Sequence, residues 1–353
     1  MSSVGKNAVA SLLSQSQPLV IHHWDADGIA SAVTVAQFVG PGVTFVMPPF
    51  TYRPSREFLD RVRLASSGKD LILIVDYNVA PEVMASIVSV ARGRPVLVVD
   101  HHTAEYPKVP GLYYYNPAAA GDRQGLWPSA AHVLADALGF YDPLMIAMSI
   151  YGDLWEKALG NRVYAEYMDE VGMDVRSDSE LIRDCVMQIW SAEAMRLAEV
   201  LEGLPYSLSY GGLDPCQAIL SDPRMTNARV EVEGELRRAY ESAARSTALE
   251  GRVALFGVRT KYKVTGMLSR RFEDEAGDKV IVVYSLEEGQ GVGRIYVRGN
   301  FNVAELVARL RKRGLSAGGK EQPGNNSVAL EVDPSMLESA VKVVTDELGA
   351  MLG

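Results

Sequence analysis

Cysteine is nearly missing: Cys185 and Cys216 are the only two in 353 residues. Two cannot form a disulfide framework, and their separation does not match the paired spacing of a thiolate zinc site, so both read as small buried hydrophobes in a reducing compartment. No uninterrupted apolar stretch approaches the roughly 20 residues of a membrane span, and the N-terminus lacks a charged region followed by an apolar core. A cytoplasmic protein with no membrane partner is the expectation. Positive charge is not in excess either, and a net charge of −9 argues against a general nucleic-acid coat protein. Internal repeats and low-complexity tracts are absent.

What remains is an ordinary globular composition, 48% hydrophobic and 22% charged, with enough length for two domains. Its charge is unevenly spread. From Gly251 to Leu330, 14 Lys and Arg stand against 8 Asp and Glu, an excess of +6, which leaves −15 on the rest of the chain. An acidic body able to hold cations, joined to a basic module, suits a phosphate-bearing substrate.

The most informative stretch is Ile21-His22-His23-Trp24-Asp25-Ala26-Asp27-Gly28. It follows the apolar run Leu19-Val20-Ile21 and precedes a helix-forming segment from Ile29, so two carboxylates and two imidazoles sit where a parallel strand hands over to its helix. Alternation along an extended segment places His23, Asp25 and Asp27 on one side. Taken alone this is an ordinary solvated turn. Two further apolar runs end alike, however: Leu71–Val75 runs into Asp76, and Val96–Val99 into Asp100-His101-His102. Continuous apolar runs are central strands buried on both faces, and ligands bind beyond their carboxyl ends.

Other elements follow in order. A strand is expected at 43–47, a helix capped by Ser55, a helix at about 81–91 opened by Pro81, and a short strand at 112–115. Ser129 caps a helix at about 130–138, in which His132 reads as structural. A second apolar helix at about 143–151 delivers Gly152-Asp153 at its end. Helical segments to about 220 close the first domain, and a long charged helix over 226–248 connects it to the second. Strands are then expected at 253–256, 280–284 and 294–298, a helix capped by Asn302, a glycine-rich loop at 317–326 and a strand at 328–332. The fold class is α/β: a mainly parallel, doubly wound sheet with a smaller α+β C-terminal domain. The domains are residues 1–205, a helical connector 206–250, and 251–353.

His23, Asp25, Asp27, Asp76, His101, His102 and Asp153 form a donor set for hard-to-borderline divalent cations, Mn²⁺ first, then Mg²⁺ or Co²⁺. The choice between His22 and His23 stays open. Four aspartates together are costly unless roughly two divalent ions neutralise them, and such a pair is the clamp used in phosphoryl chemistry. Arg298, Lys320 and the amides of Gly318-Gly319 could meet the substrate phosphate.

In order and spacing, Asp25-x-Asp27-Gly28, Asp76, Asp100-His101-His102 and Gly152-Asp153 resemble the four motifs of the DHH phosphoesterase superfamily. The C-terminal hundred residues resemble the DHHA1 domain of its RecJ-like and nano-RNase-like branches. The resemblance implies that His23 and Asp25 hold one metal, that Asp76 bridges, and that Asp27, His101 and Asp153 hold the second. It makes His102 a phosphate contact, with Asp100 orienting an imidazole, and places Arg298 at a substrate arginine. Lys320 stands where the family's glycine loop usually has histidine, with Gln322-Pro323-Gly324 in place of Ala-Ala-Gly. The function implied is a Mn²⁺-dependent phosphodiesterase or exonuclease acting on single-stranded nucleic acid or short oligonucleotides. Alternatives are a cyclic-dinucleotide phosphodiesterase, or a scaffold related to Cdc45 with a replication protein as partner. Homodimer formation, digestion polarity and DNA against RNA are left open, and a pyrophosphatase is disfavoured by the short His23-x-Asp25 form. Tyr262, Tyr296 and Phe301 read as core aromatics rather than base-stacking ones.

Overall fold

In the computed structural model, the residues described are 2–51, 55–79, 81–102, 108–119, 126–288, 291–320 and 326–352. They divide into two compact units, residues 1–228 and 229–353.

The first unit contains strands β1 (Ser2–Ser3), β2 (Pro18–His22), β3 (Thr44–Val46), β4 (Leu71–Val75), β5 (Val96–Val99) and β6 (Leu112–Tyr115). All pair in parallel, in the order β1-β6-β5-β4-β2-β3. The chain moves from β2 outward to β3, then returns to the other side of β2 for β4, so the order reverses between β2 and β4. That reversal opens a crevice at the carboxyl ends of those two strands. The faces of the sheet alternate strictly. Leu19, Ile21, Ile72, Ile74, Val96 and Val98 join one apolar core, whereas Val20, Leu71, Leu73, Val75, Leu97 and Val99 join another. Burial on both sides is why β4 and β5 carry no polar residue and β2 none before His22.

Its helices are α1 (Lys6–Ser14), α2 (Ala26–Val39), α3 (Arg56–Ala65), α4 (Pro81–Val90), α5 (Ala130–Leu138), α6 (Pro143–Leu154), α7 (Arg162–Glu170), α8 (Ser179–Ala194), α9 (Ala198–Tyr210) and α10 (Pro215–Ser221). Local chemistry sets their starts: Ser55 accepts from the amide of Phe58, Ser129 from that of His132, and Asp142 from those of Leu144 and Met145 ahead of Pro143 at the first turn. Helix α6 runs to Leu154, so Asp153 lies within its last turn and not beyond it. Both cysteines are free and buried, and hydrogen bonding to Cys216, then burial, pushes up the Cys185 thiol.

Helix α11 (Pro223–Ser242) ends earlier than the charge pattern suggests. Residues 244–248 form β7 (Ala244–Ala248) instead, antiparallel to β8 (Val253–Thr260). Ser246 and Thr247 are weak helix formers, and the ladder to β8 supplies their backbone partners. The second sheet continues with β9 (Val280–Glu287), β10 (Val292–Arg298), β11 (Ala317–Lys320) and β12 (Ser327–Val332), in the order β11-β12-β10-β9-β8-β7. Only β8 and β9 pair in parallel, which requires a crossover, and α12 (Thr265–Ala276) provides it. The expected glycine loop begins as the edge strand β11, and Gln322-Pro323-Gly324 lies outside the described residues.

One face of this sheet packs Val282, Ile295, Val297 and Leu330 under α13 (Val303–Lys312) and α14 (Leu337–Leu352). On α12, Phe272 stacks on Phe256 at 4.1 Å and on Tyr240 at 5.1 Å. No helix among the described residues is long and apolar enough to cross a membrane.

Candidate metal centre

Strands β2, β4 and β5 end level, because His22 is in register with Val75 and Val75 with Val99. One further ladder bond extends two of them, from the His23 amide to the Val75 carbonyl at 3.3 Å and from the Asp76 amide to the Val99 carbonyl at 3.2 Å. His23, Asp76 and Asp100 therefore leave the sheet side by side. Asp76 does so at φ 53°, a left-handed conformation uncommon for a residue with a Cβ.

Helix ends supply the rest. Asp25 caps α2, its Oδ1 accepting from the Gly28 amide at 3.0 Å while Oδ2 lies 2.7 Å from His23 Nδ1. Asp27 sits in the first turn of α2 and accepts the amides that open α5, from Ala130 at 2.7 Å and Ala131 at 2.9 Å. It thus faces the positive end of a second helix. Asp153 Oδ2 is 3.1 Å from His101 Nε2, which is also 3.5 Å from Asp27 Oδ2.

Two three-donor groups result: His23, Asp25 and Asp76, and Asp27, His101 and Asp153, with the donor atoms of each within 4.8 Å of one another. Asp76 faces both, its Oδ2 3.7 Å from His23 Nδ1 and its Oδ1 3.7 Å from His101 Nε2. Asp76, Asp100, His101 and His102 form a third, overlapping group. Asp100 Oδ1, however, already accepts the amides of His101 and His102 and lies 2.7 Å from His102 Nδ1. These contacts fix the His102 imidazole, whose side chain is 23% exposed, with Nδ1 turned to Asp100. His101 is fixed in the same manner, its Nδ1 3.1 Å from the Trp127 carbonyl, which leaves Nε2 for a cation.

Charge gives the fit test. Burial, followed by repulsion from Asp153 and Asp25, pushes the Asp27 carboxyl well above the usual range. Burial and the charges of Asp27, Asp25, Asp153 and Asp100 do the same to Asp76. For Asp25, burial works upward, but the adjacent His23 imidazole outweighs it and holds the group at about 2. Asp100 is likewise held at about 2 against burial by His102. A divalent ion at each three-donor group would offset the charge that burial and mutual repulsion make unfavourable at Asp27 and Asp76. The oxygen and imidazole donors fit Mn²⁺, Mg²⁺ or Co²⁺.

His22 belongs to none of the three groups. Strand alternation turns it away from His23: its Nδ1 is 2.7 Å from the His23 carbonyl and its ring is edge-on to Phe45 at 6.0 Å. Burial lowers its pKa to about 4. Of the candidate substrate residues in the second unit, Arg298 is only 4% exposed, its Nε donating to Ser269 Oγ at 2.7 Å. Gly318, Gly319 and Lys320 lie in the β11 ladder, opposite Ala329, Val328 and Ser327. His132 contacts the Tyr167 hydroxyl at 2.8 Å, away from the metal groups.

Several contributors had no signal of their own in the sequence. The Trp127 carbonyl and the Ala130 and Ala131 amides are backbone atoms. Asn116, whose Nδ2 donates to the His102 carbonyl at 2.8 Å, follows β6 as a plain strand stop. Two glycines permit close packing. A Cβ on Gly28 would lie 2.5 Å from both the Cβ and the carbonyl oxygen of His23, and one on Gly152 would lie 2.9 Å from the Ala26 Cβ.

Residues 18–154 match the family model described as the DHH family, N-terminal domain. No curated protein matches the chain. Among solved structures, the chain resembles exonuclease RecJ bound to manganese, with 19% identity, TM-score 0.61, and coverage of 99% of this chain and 95% of the other. The DHH domain of a member of a family of ribosomal proteins is similar at 14% identity and TM-score 0.68, covering 97% of this chain and 88% of the other. Entamoeba histolytica CDC45 is similar at 9% identity and TM-score 0.50, covering 98% and 99%. At these identities the likeness is one of fold alone, in the parallel sheet and the separate mixed sheet described above.

Proposed function

We propose that this protein is a metal-dependent phosphodiesterase that hydrolyses single-stranded nucleic acid or short oligonucleotides. The observation that carries the proposal is the convergence of six ligand side chains, from the ends of β2, β4, β5 and α6 and the start of α2, into two three-donor groups, with Asp76 of the first also 3.7 Å from His101 of the second. His23, Asp25 and Asp76 would hold one ion, and Asp27, His101 and Asp153 the other. Manganese is the first choice, on the donor chemistry and on the fold likeness to RecJ bound to manganese. The ions supply an activated water and neutralise charge on the phosphoryl oxygens.

The chain's own residues do the rest. His101, Asp25, Asp27 and Asp100 are preorganised by backbone partners, so little reorganisation accompanies reaction. His102, its Nδ1 engaged by Asp100, presents Nε2 to a phosphate oxygen. Residues 1–205 carry this chemistry, 206–250 connect, and 251–353 contribute substrate binding through the Lys and Arg concentrated in residues 251–330, in a cytoplasmic protein. The Cdc45-like scaffold alternative has only a fold likeness behind it, whereas the complete donor set favours catalysis.

The test is incubation of the purified chain with end-labelled DNA and RNA ladders, with Mn²⁺ or Mg²⁺, beside an Asp76→Asn variant. Cleavage by the parent and loss in the variant are expected. Absence of cleavage of every strand down to dinucleotides, with either ion, refutes the proposal.

A further inference from the structure

Just beyond the second metal group the backbone does something costly. Trp155, two residues after Asp153, takes φ 57° and ψ −138°, a conformation that bulky side chains rarely adopt. The turn places its indole face to face with that of Trp190 on α8, the ring centroids 4.7 Å apart and the planes 13° from parallel. Neither ring is fully buried, and both pack on the edge of the apolar core. The far side of the pair is tied to the metal cluster as well. Glu193, one turn along α8 from Trp190, accepts the Trp24 indole N–H at 2.9 Å, and Trp24 stacks against His23 at 4.2 Å. Gly152 meanwhile brings α6 against Ala26, between Asp25 and Asp27. The tryptophan pair is thus held at the rim of the cluster through both metal groups, by Asp153 on one side and by His23 on the other.

An aromatic pair that only filled the core would not require strained backbone or partial exposure at a carboxylate cluster. We propose that Trp155, backed by Trp190, is a stacking platform for a base of the single-stranded substrate, setting which phosphodiester reaches the metals. This rests on the phosphodiesterase function proposed above and adds to it a preference for strands that carry bases. Stacking on an aromatic face is tolerant of sequence, so the preference is for the presence of a base and not for its identity.

The test compares oligo(dT) with an abasic strand of the same length, using the whole chain and its Trp155→Leu and Trp155→Phe variants. The parent is expected to show a KM lower for oligo(dT) than for the abasic strand by roughly 5- to 100-fold, the span of one stacked base. Trp155→Leu is expected to raise KM for oligo(dT) towards the abasic value with a smaller change in kcat, and Trp155→Phe to retain part of the difference. Binding is read separately in an Asp76→Asn background, where oligo(dT) quenches tryptophan fluorescence, the abasic strand does not, and Trp155→Phe loses much of the quench. This binding arm decides if Trp155→Leu fails to fold, as judged by its thermal melt. A parent that cleaves both strands with equal KM overturns the platform and leaves the phosphodiesterase standing, and so does a folded Trp155→Leu that still discriminates. A parent that neither binds nor cleaves any strand overturns both.

Discussion

Gly28→Ala is the substitution most sharply specified by the geometry. The added methyl would meet the Cβ and the carbonyl oxygen of His23 at 2.5 Å and its carbonyl carbon at 2.7 Å. Ordinary van der Waals contact begins near 3.4 Å, so His23 or the first turn of α2 must move by about 1 Å. Neither is free to do so: the His23 amide is in the β4 ladder, and the Gly28 amide is bonded to Asp25 Oδ1. Overpacking of this kind costs about 1–3 kcal/mol, and for a unit of this size each kcal/mol lowers Tm by roughly 2–4 °C. The larger effect is on the site, because His23 and Asp25 belong to one metal group and a misplacement of about 1 Å can cost about 10²-fold in rate. Calorimetric titration with Mn²⁺ is expected to show loss of the tighter or the weaker of two binding events, alongside the fall in Tm. A variant that melts with the parent and binds two ions unchanged would refute the packing argument outright.

Further expectations follow from the same contacts. Gly152→Ala, whose methyl meets only the Ala26 Cβ at 2.9 Å, should be destabilising alone and recover when combined with Ala26→Gly, as measured by denaturant unfolding in a double-mutant cycle. Asp100→Asn should lower kcat by about 10- to 100-fold, because His102 loses its charged orienting partner; calorimetry should show Mn²⁺ affinity changed much less, and an equal fall in both would contradict the orienting role. In the presence of a chelator, Asp27 and Asp76 have folded-state pKa values raised above their unfolded ones. Their favourable contribution is then complete below the ordinary carboxylate range and is lost as pH rises through the raised values. Melting followed from pH 5 to 8 should therefore show Tm falling without metal and recovering with added Mn²⁺; a metal-free protein that gains stability over this range would count against the acidic cluster. Ser129→Ala removes the cap on α5 and its bond to Ser149 and should cost about 1 kcal/mol in denaturant unfolding.

How much of this was legible in the sequence depended on whether the cause was local. Strands β2, β4 and β5 could be read as continuous apolar runs because both faces of the sheet are covered, and the caps at Ser55, Ser129 and Asn302 because a short side chain bonds an amide three residues on. The stop at Ser242 was not legible, since Ala244–Ala248 is a strand only because β8 lies beside it. Alternation separates His22 from His23, but which face holds the site is decided by neighbouring strands. Nor does an arginine announce burial: Arg298 is covered because Ser269 on α12 receives its Nε. Asp27 was legible as a candidate ligand, but its bonds to Ala130 and Ala131 were not, because they join positions more than a hundred residues apart.

The left-handed backbone at Asp76 has a consequence for how such a protein can change. A non-glycine residue there costs about 1–3 kcal/mol, and its carboxylate adds repulsion from the aspartates around it. Asp76→Gly would relieve both at once, so in metal-free medium the inactive protein should outlast the active one. Selection for heat resistance alone would discard this aspartate early, and the reaction proposed above is what would keep it in place.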